Sequence, residues 1–228
     1  MLSPRLEKVA SLVPKGTKIA DVGTDHAYLP IYLMETGIAK STVATDIHKG
    51  PIDAANANIA AAGVKGIKTI LCDGLNAVAP NEVDTVIIAG MGGDTIAHIL
   101  SEAAWLKSSD KLLILQPMSS ADSARIYLAQ NGYKVEKEVC VEDAGRVYPV
   151  MTARFCGRCR EISFLESQIG IADQNPTDAE YKYLLSVYTS LSKKAESING
   201  IERLEDEFQK TLEAAKKLER ILGEKYAL

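Results

Sequence analysis

The stretch Lys18-Ile-Ala-Asp-Val-Gly-Thr-Asp-His-Ala-Tyr-Leu-Pro30 decides how the chain is read. Ile19 to Val22 is a short apolar run suited to a buried strand. Gly23 breaks it, and Leu29, Leu33 and Met34 then recur at helical spacing. Strand, glycine turn and helix N-terminus in succession is how open α/β sheets hold a nucleotide-like ligand. A dinucleotide site needs G-x-G-x-x-G, so that backbone can approach a pyrophosphate. Here Asp25 takes the second glycine position and nearby Ala27 is no glycine either. A carboxylate in that turn repels a diphosphate. It suits a nucleoside with a cationic, phosphate-free tail, of which S-adenosylmethionine is the common one.

Strands and helices alternate outward from this turn. Ser3-Pro4 starts a first helix, Ser as N-cap and Pro at the first position. Val43–Asp46, Lys68–Leu71, Val83–Ala89 and Lys111–Leu115 read as further strands, the last stopped by Gln116-Pro117. Helices are expected over Pro51–Ala62, closed by Gly63, over Asp94–Ala104 after a Gly90-Met-Gly-Gly93 turn, and over Ser119–Gln130. This rhythm predicts an open, mostly parallel sheet. Tyr133–Val141 and Arg146–Phe155 leave no room for a helix between them, so a terminal hairpin with an antiparallel last strand is expected. The ground plan is the α/β, Rossmann-like class I methyltransferase sheet of seven strands, ordered 3-2-1-4-5-7-6.

From about residue 160 the pattern is helical. Asn175-Pro176-Thr177 reads as a helix start, and Tyr181, Leu184, Leu185, Tyr188 and Leu191 recur on one face. Beyond Asn199-Gly200, the series Ile201, Leu204, Phe208, Thr211, Ala215, Leu218 and Leu222 is a heptad seam. The simplest reading is a C-terminal coiled-coil hairpin of two antiparallel helices; one helix kinked at Asn199-Gly200 is the other. The expected domains are residues 1–158, binding S-adenosylmethionine, and residues 159–228, helical.

Composition excludes more than it selects. The 228 residues are 46% apolar, enough for a sizeable core. No stretch approaches the ~20 apolar residues of a membrane span, and the N-terminus lacks a signal core. Four cysteines make no disulfide framework, so a reducing cytoplasm is expected. The lone Cys156-Gly-Arg-Cys159 lacks the second ligand pair that zinc needs, and no metal is expected. The net charge of −4 falls entirely on residues 161–228, which hold 9 Lys/Arg and 13 Asp/Glu. Any nucleic-acid contact must therefore use local basic patches.

Candidate site residues follow from the rule that ligands sit outside the carboxyl ends of the strands. Asp21 and Asp25 flank the glycine turn, where a cationic methionine end would lie, and Gly23 and Thr24 within it are further cofactor candidates. Asp46, with Ile47, is spaced to accept from ribose hydroxyls, and Asp73-Gly74 from an adenine amine. Gly90, Met91 and Gly92 bring backbone close to the ligand. Asp46 as a helix cap and Asp73-Gly74 as a plain turn are the bland alternatives. His26 is read as a partner for Asp25 or Asp46, or as a base or substrate contact; His48 and His98 are read as surface or packing residues.

With these residues in hand, the chain resembles the bacterial tRNA adenine-22 N1-methyltransferase family. The match runs through Leu2–Leu6, Asp21–Leu29, Ala44-Thr-Asp46, Asp73-Gly74, Ile88–Gly93 and Leu115-Gln-Pro-Met118 to Glu142, Gly145, Arg146 and Tyr148. The helical C-terminus matches in character only. Many N-methyltransferases of bases carry Asn-Pro-Pro-Tyr after strand four, where this chain has Ala-Gly-Met-Gly.

The resemblance implies S-adenosylmethionine-dependent methylation of N1 of an adenine, position 22, in tRNA. On that footing Asp25 or Asp94 would stabilise the cation formed, and Tyr28 would stack on or orient the base. Lys193, Lys194, Lys216, Lys217 and Arg220 become clamp candidates for tRNA phosphates. A monomer is favoured. A small-molecule methyltransferase, and a non-catalytic RNA-binding protein on the same fold, are the alternatives.

Overall fold

A computed structural model describes residues 2–170 and 177–226 of the chain. The first helix α1 (Pro4–Ser11) is capped by Ser3, whose hydroxyl accepts from the Leu6 N–H. The order then runs β1 (Thr17–Val22), α2 (Tyr28–Glu35), β2 (Ala39–Asp46), α3 (Lys49–Ala62), β3 (Ile67–Leu71), β4 (Thr85–Gly92), α4 (Gly93–Glu102) and β5 (Leu112–Ser119). After α5 (Ala121–Gln130) come the hairpin strands β6 (Tyr133–Asp143) and β7 (Arg146–Phe155). The helical end comprises α6 (Phe164–Ile169), α7 (Asp178–Ile198) and α8 (Glu205–Tyr226).

The seven strands form one sheet in the order β3-β2-β1-β4-β5-β7-β6, as expected. β1 pairs in parallel with both β2 and β4, so the glycine turn leaves the sheet at its centre. β7 runs antiparallel to β5 and to β6. The hairpin turn Ala144-Gly145 is left-handed at both residues, φ 50° and 74°, which matches the twist of paired strands.

Alternation along the central strands divides the core. Ala20, Val22, Val86, Ile88, Leu113 and Leu115 face the cluster that packs on α4 and α5. Ile19, Ile87, Leu112 and Ile114 face α1 and α2 on the other side. Both faces are apolar because helices cover both.

Two strand ends differ from expectation. β4 continues through Gly90-Met91-Gly92 instead of turning there, and β5 continues through Gln116-Pro117. The register slips between Ala89/Met91 and Met91/Gly92, with Met91 opposite Pro117 and Gly92 opposite Ser119. A proline has no N–H to give a ladder, and the irregular register is what admits one here.

The helical end is the expected hairpin. Asn199 ends α7, and Gly200 takes φ +78°. Thr177 caps α7 in a full capping box with Glu180; Asn175 and Pro176 lie outside the described residues. Leu184, Leu191, Ala214, Ala215, Leu218 and Leu222 are buried along the contact, whereas Leu185 and Ile201 of the expected seams are exposed. The seam closes only from Thr211 onward, because Ile201 falls in the turn. α6 was not anticipated, although its signature is present: Ser163 accepts from Glu166 N–H in an S-x-x-E start.

Arg125 joins the two parts. It is 3% exposed, and its guanidinium donates to Glu138 on β6, to the Ser167 and Gln168 carbonyls at the end of α6, and to the Tyr183 hydroxyl on α7. Burial disfavours the cation, but the Glu138 carboxylate outweighs that and holds it charged.

Candidate active site

The β1–α2 turn is more contorted than its sequence suggests. Gly23, Asp25 and Ala27 all adopt left-handed backbone, φ 74°, 51° and 56°. The positions where glycines are missing thus keep the conformation that glycine would take, at a cost of about 1 kcal/mol or more each. The Gly23 and Thr24 N–H groups both donate to the Thr45 carbonyl, at 2.8 and 2.9 Å. They are therefore turned into the sheet and build no anion nest, which agrees with the carboxylate of Asp25 in the same turn.

Two adjoining cavities flank this turn. The larger, about 360 Å³, lies at the ends of β1, β2, β3 and β4. Gly23, Asp46, Ile47, Asp73, Gly74, Gly90 and Met91 all line it, so seven predicted residues from four strand ends converge. Asp46 accepts the His48 N–H at 2.9 Å through one oxygen; it is an Asx turn and not the helix cap, which is His48. Ile47, 56% exposed, offers an apolar surface beside it. Thr45 holds the Asp73-Gly74 segment by donating to the Gly74 carbonyl at 2.9 Å.

The second cavity, about 220 Å³, holds Asp21, Thr24, Asp25, His26 and Tyr28, and shares Gly23, Ala89 and Gly90 with the first. Asp21 is 6% exposed, and burial, reinforced by the charge of Asp46, pushes its pKa up to about 6. The Thr24 hydroxyl, buried beside Asp21 and tempering that rise, has no well-formed hydrogen bond among the described residues. A buried carboxyl and an under-satisfied hydroxyl at one cavity wall are groups that a cationic, hydrogen-bonding ligand would satisfy. His26 lies 3.6 Å from Asp25, stacks on Tyr28 at 5.3 Å between ring centroids, and has its carbonyl held by Asn58. Tyr28 is 55% exposed. Gly92 and Asp94 line neither cavity; Asp94 is exposed in the first turn of α4.

Sequence reasoning missed four contributors. Thr95, His48 and His98 line the larger cavity, the two histidines from the exposed positions expected of them. Arg5 lines the smaller one: its Nη1 donates to Gln116 at 2.7 Å and its Nε lies 3.7 Å from Asp143. Gln116, fully buried, also accepts the Gly90 N–H at 3.1 Å and donates to the Pro117 carbonyl at 2.8 Å. It therefore fixes the bend of Gly90, φ +85°. Strand parity was the available signal, since Asp21, Ala89 and Gln116 point to the α1 side.

The predicted clamp residues lie elsewhere. Lys193, Lys194, Lys216, Lys217 and Arg220 are exposed on the helical hairpin. Lys194 pairs with Glu207 and Lys217 with Glu213, while Lys193, Lys216 and Arg220 form no ion pair among the described residues. Cys156 and Cys159 are exposed free thiols. Among the described residues no group of three metal-ligating side chains occurs, and no helix is long and apolar enough to cross a membrane.

Known proteins share the fold and part of the sequence. Residues 2–151 match the methyltransferase domain family. The tRNA (adenine(22)-N(1))-methyltransferase of Bacillus subtilis is 38% identical over 153 residues, 67% of this chain and 64% of its own length. The crystal structure of the Bacillus subtilis m1A22 tRNA methyltransferase is matched over 98% of both chains, at 31% identity and TM-score 0.78. A Streptococcus pneumoniae structure in complex with S-adenosyl-L-methionine matches over 96% of this chain and 99% of its own, at 33% identity and TM-score 0.78. On the sheet order, the converging strand ends and these full-length likenesses, the chain belongs to the family of tRNA (adenine-22-N1)-methyltransferases.

Proposed function

We propose that this chain methylates N1 of an adenine in tRNA, at position 22 as in its relatives, using S-adenosylmethionine. The observation that carries the reading is the pair of joined cavities at the strand ends, acidic and free of a phosphate nest. When bound, S-adenosylmethionine supplies a methyl on a sulfonium, which the N1 lone pair takes as the electrons of the broken S–C bond return to sulfur.

The chain's own residues then have separable tasks. Asp46 would hold the ribose hydroxyls with Ile47 beside the base, and Asp73 the adenine amine. Asp21 and Thr24 would take the cationic methionine end. Gly90, held by Gln116, lets backbone pass close between the two cavities. Adenine N1 bears no proton, so no strong base is demanded. The site must align N1, methyl and sulfur and accommodate the cation that forms. Asp25 would stabilise that charge, and the His26–Tyr28 stack would meet the target base, a role supported by the exposure of Tyr28. Asp94 is exposed at the start of α4, one residue from Thr95 of the cavity wall, and would act only on an incoming substrate. Residues 1–158 form the methyltransferase domain, and residues 159–228 a helical domain that grips tRNA, in the cytoplasm.

The test is labelled S-adenosylmethionine with unmodified tRNA, followed by mapping the methylated base as a primer-extension stop. A stop at adenine 22 is expected. Cofactor binding without label in tRNA would refute the reading in favour of a non-catalytic RNA-binding protein. Label in small acceptors alone would favour a small-molecule methyltransferase.

A further inference from the structure

Pro117 to Ala121 form one wall of a second, larger cleft of about 710 Å³. The tip of the β6–β7 hairpin and the first half of α7 close it on the other sides. This volume falls within the roughly 300–1,000 Å³ of ligand sites. It also adjoins the cofactor cavity. Met91, which lines the cofactor cavity, pairs with Pro117, and Gly92 pairs with Ser119. Neighbouring strands lie about 4.8 Å apart, so one strand spacing separates the two spaces.

The lining is chemically specific. Arg146 is exposed there and forms no ion pair among the described residues. Lys182 also lines the cleft from α7 and donates to Glu142 of the hairpin wall at 2.6 Å. Met118, 40% exposed, offers a flat apolar surface, and Ser186 and Ser190 place hydroxyls one helical turn apart along α7. Ser120 at the rim is held in left-handed backbone, φ 49°, a strain that persists where surrounding structure demands it.

We infer that this cleft seats the single-stranded RNA adjoining the target adenosine, with a phosphate between Arg146 and Lys182 and an unstacked base on Met118. The inference rests on the tRNA-methylation reading above and adds a site to it. A positively charged groove beside a platform for unstacked bases is how proteins hold single strands, usually on aromatic rings; here the exposed Met118 side chain takes that place. N1 of a paired adenine is buried in its base pair, so the nucleotide must leave the stack before it can react, and its neighbours must be held as it does. The cleft stands much nearer the chemistry than the hairpin lysines: Lys182 precedes Lys193 by about 16 Å along α7.

Three variants test it: Arg146→Glu, Ser190→Trp to fill the cleft from an exposed position, and Glu142→Gln to release Lys182. KM for tRNA and affinity for S-adenosylmethionine are measured for each. Arg146→Glu is expected to raise the tRNA KM about tenfold or more. It should also lower the slope of log affinity against log salt by about one. Ser190→Trp should raise the KM too, and Glu142→Gln should lower it. Cofactor affinity should stay within about twofold throughout, since none of the three lines the cofactor cavities. Unchanged tRNA KM and salt slope in Arg146→Glu, with unchanged KM in Ser190→Trp, overturn the inference while wild-type methylation of tRNA stands. A wild-type protein that binds cofactor yet leaves tRNA unmethylated overturns the underlying reading, and this inference with it.

Discussion

The cofactor cavities and the cleft beside α7 are neighbours built in opposite ways. The first are assembled from strand ends, each a short contiguous segment whose backbone conformation sets its side chains: Gly23 to Tyr28, Asp46-Ile47, Asp73-Gly74 and Gly90-Met91. The second is assembled from a strand end, a hairpin tip and a helix that are distant in sequence and meet through packing. A strand-end site is therefore as rigid as the sheet itself. The cleft is only as well defined as the docking of the helical hairpin, and that docking turns on Arg125. The difference predicts that the two can be damaged separately.

Arg125→Met makes the sharpest break. Glu138 is left buried without its cation, and one-sided loss of a buried pair costs about 3–5 kcal/mol. Thermal unfolding should move down accordingly, and tRNA methylation should fall even at temperatures where the variant is folded. S-adenosylmethionine titration at those temperatures should match wild type; a parallel loss of cofactor affinity would show that the two regions are not independent.

Asp46→Ala tests the other side. Loss of a charged hydrogen-bond acceptor is worth about 1.5–3 kcal/mol, or roughly tenfold to a hundredfold in cofactor affinity. Titration calorimetry should record that loss with no change in melting temperature of the free protein beyond a degree or two. Undiminished affinity would refute the ribose assignment.

Gln116→Leu lies between the two regions. It orphans the Gly90 N–H, at about 1–3 kcal/mol, leaves Arg5 with Asp143 alone, and frees the wall that both spaces share. The KM for both cofactor and tRNA should rise, unlike either variant above.

Acidity separates them more gently. Asp21 titrates near 6 in the folded chain against 3.8 ordinarily, so between those values the folded state holds a proton that the unfolded state has lost. Its contribution to stability is therefore favourable below about pH 4 and is lost as pH rises through 6. A cationic ligand needs the ionised form, so cofactor affinity should climb as pH rises toward 6 and level off above it. Asp21→Asn should flatten that dependence, and a dependence that survives the substitution would assign it to another group.

The smallest effect is expected on the exposed face of α8. Lys216→Ala should raise the tRNA KM by a few-fold at low salt and lower the salt slope by about one if it meets a phosphate. No change at any salt would leave it a solvated face of the coiled coil.

Much of this was legible from residues. The period-two and helical patterns, the glycine turn at Gly23 and the helix-free interval from Tyr133 to Phe155 were enough for the sheet order. The carboxylates of Asp46 and Asp73 were visible as strand ends. Arg5 and Arg125 were not, because nothing local distinguishes a surface arginine from one that crosses the core. The continuation of β4 and β5 through Gly92 and Ser119 was hidden by Pro117, which reads as a stop until its irregular partner at Met91 is known.

The chain's own sequence determined the alternation of strands and helices, the turn that faces the cofactor, and the acidity of that turn. These depend on backbone preference and on residues near one another along the chain. Only the tertiary structure decided that Asp25 and Ala27 would be forced left-handed, that Gln116 would hold Gly90, and that Arg146, without an ion pair among the described residues, would face α7 across a cleft. Those outcomes depend on contacts between segments up to 111 residues apart, whose energies exist only once the sheet and the hairpin have closed on each other.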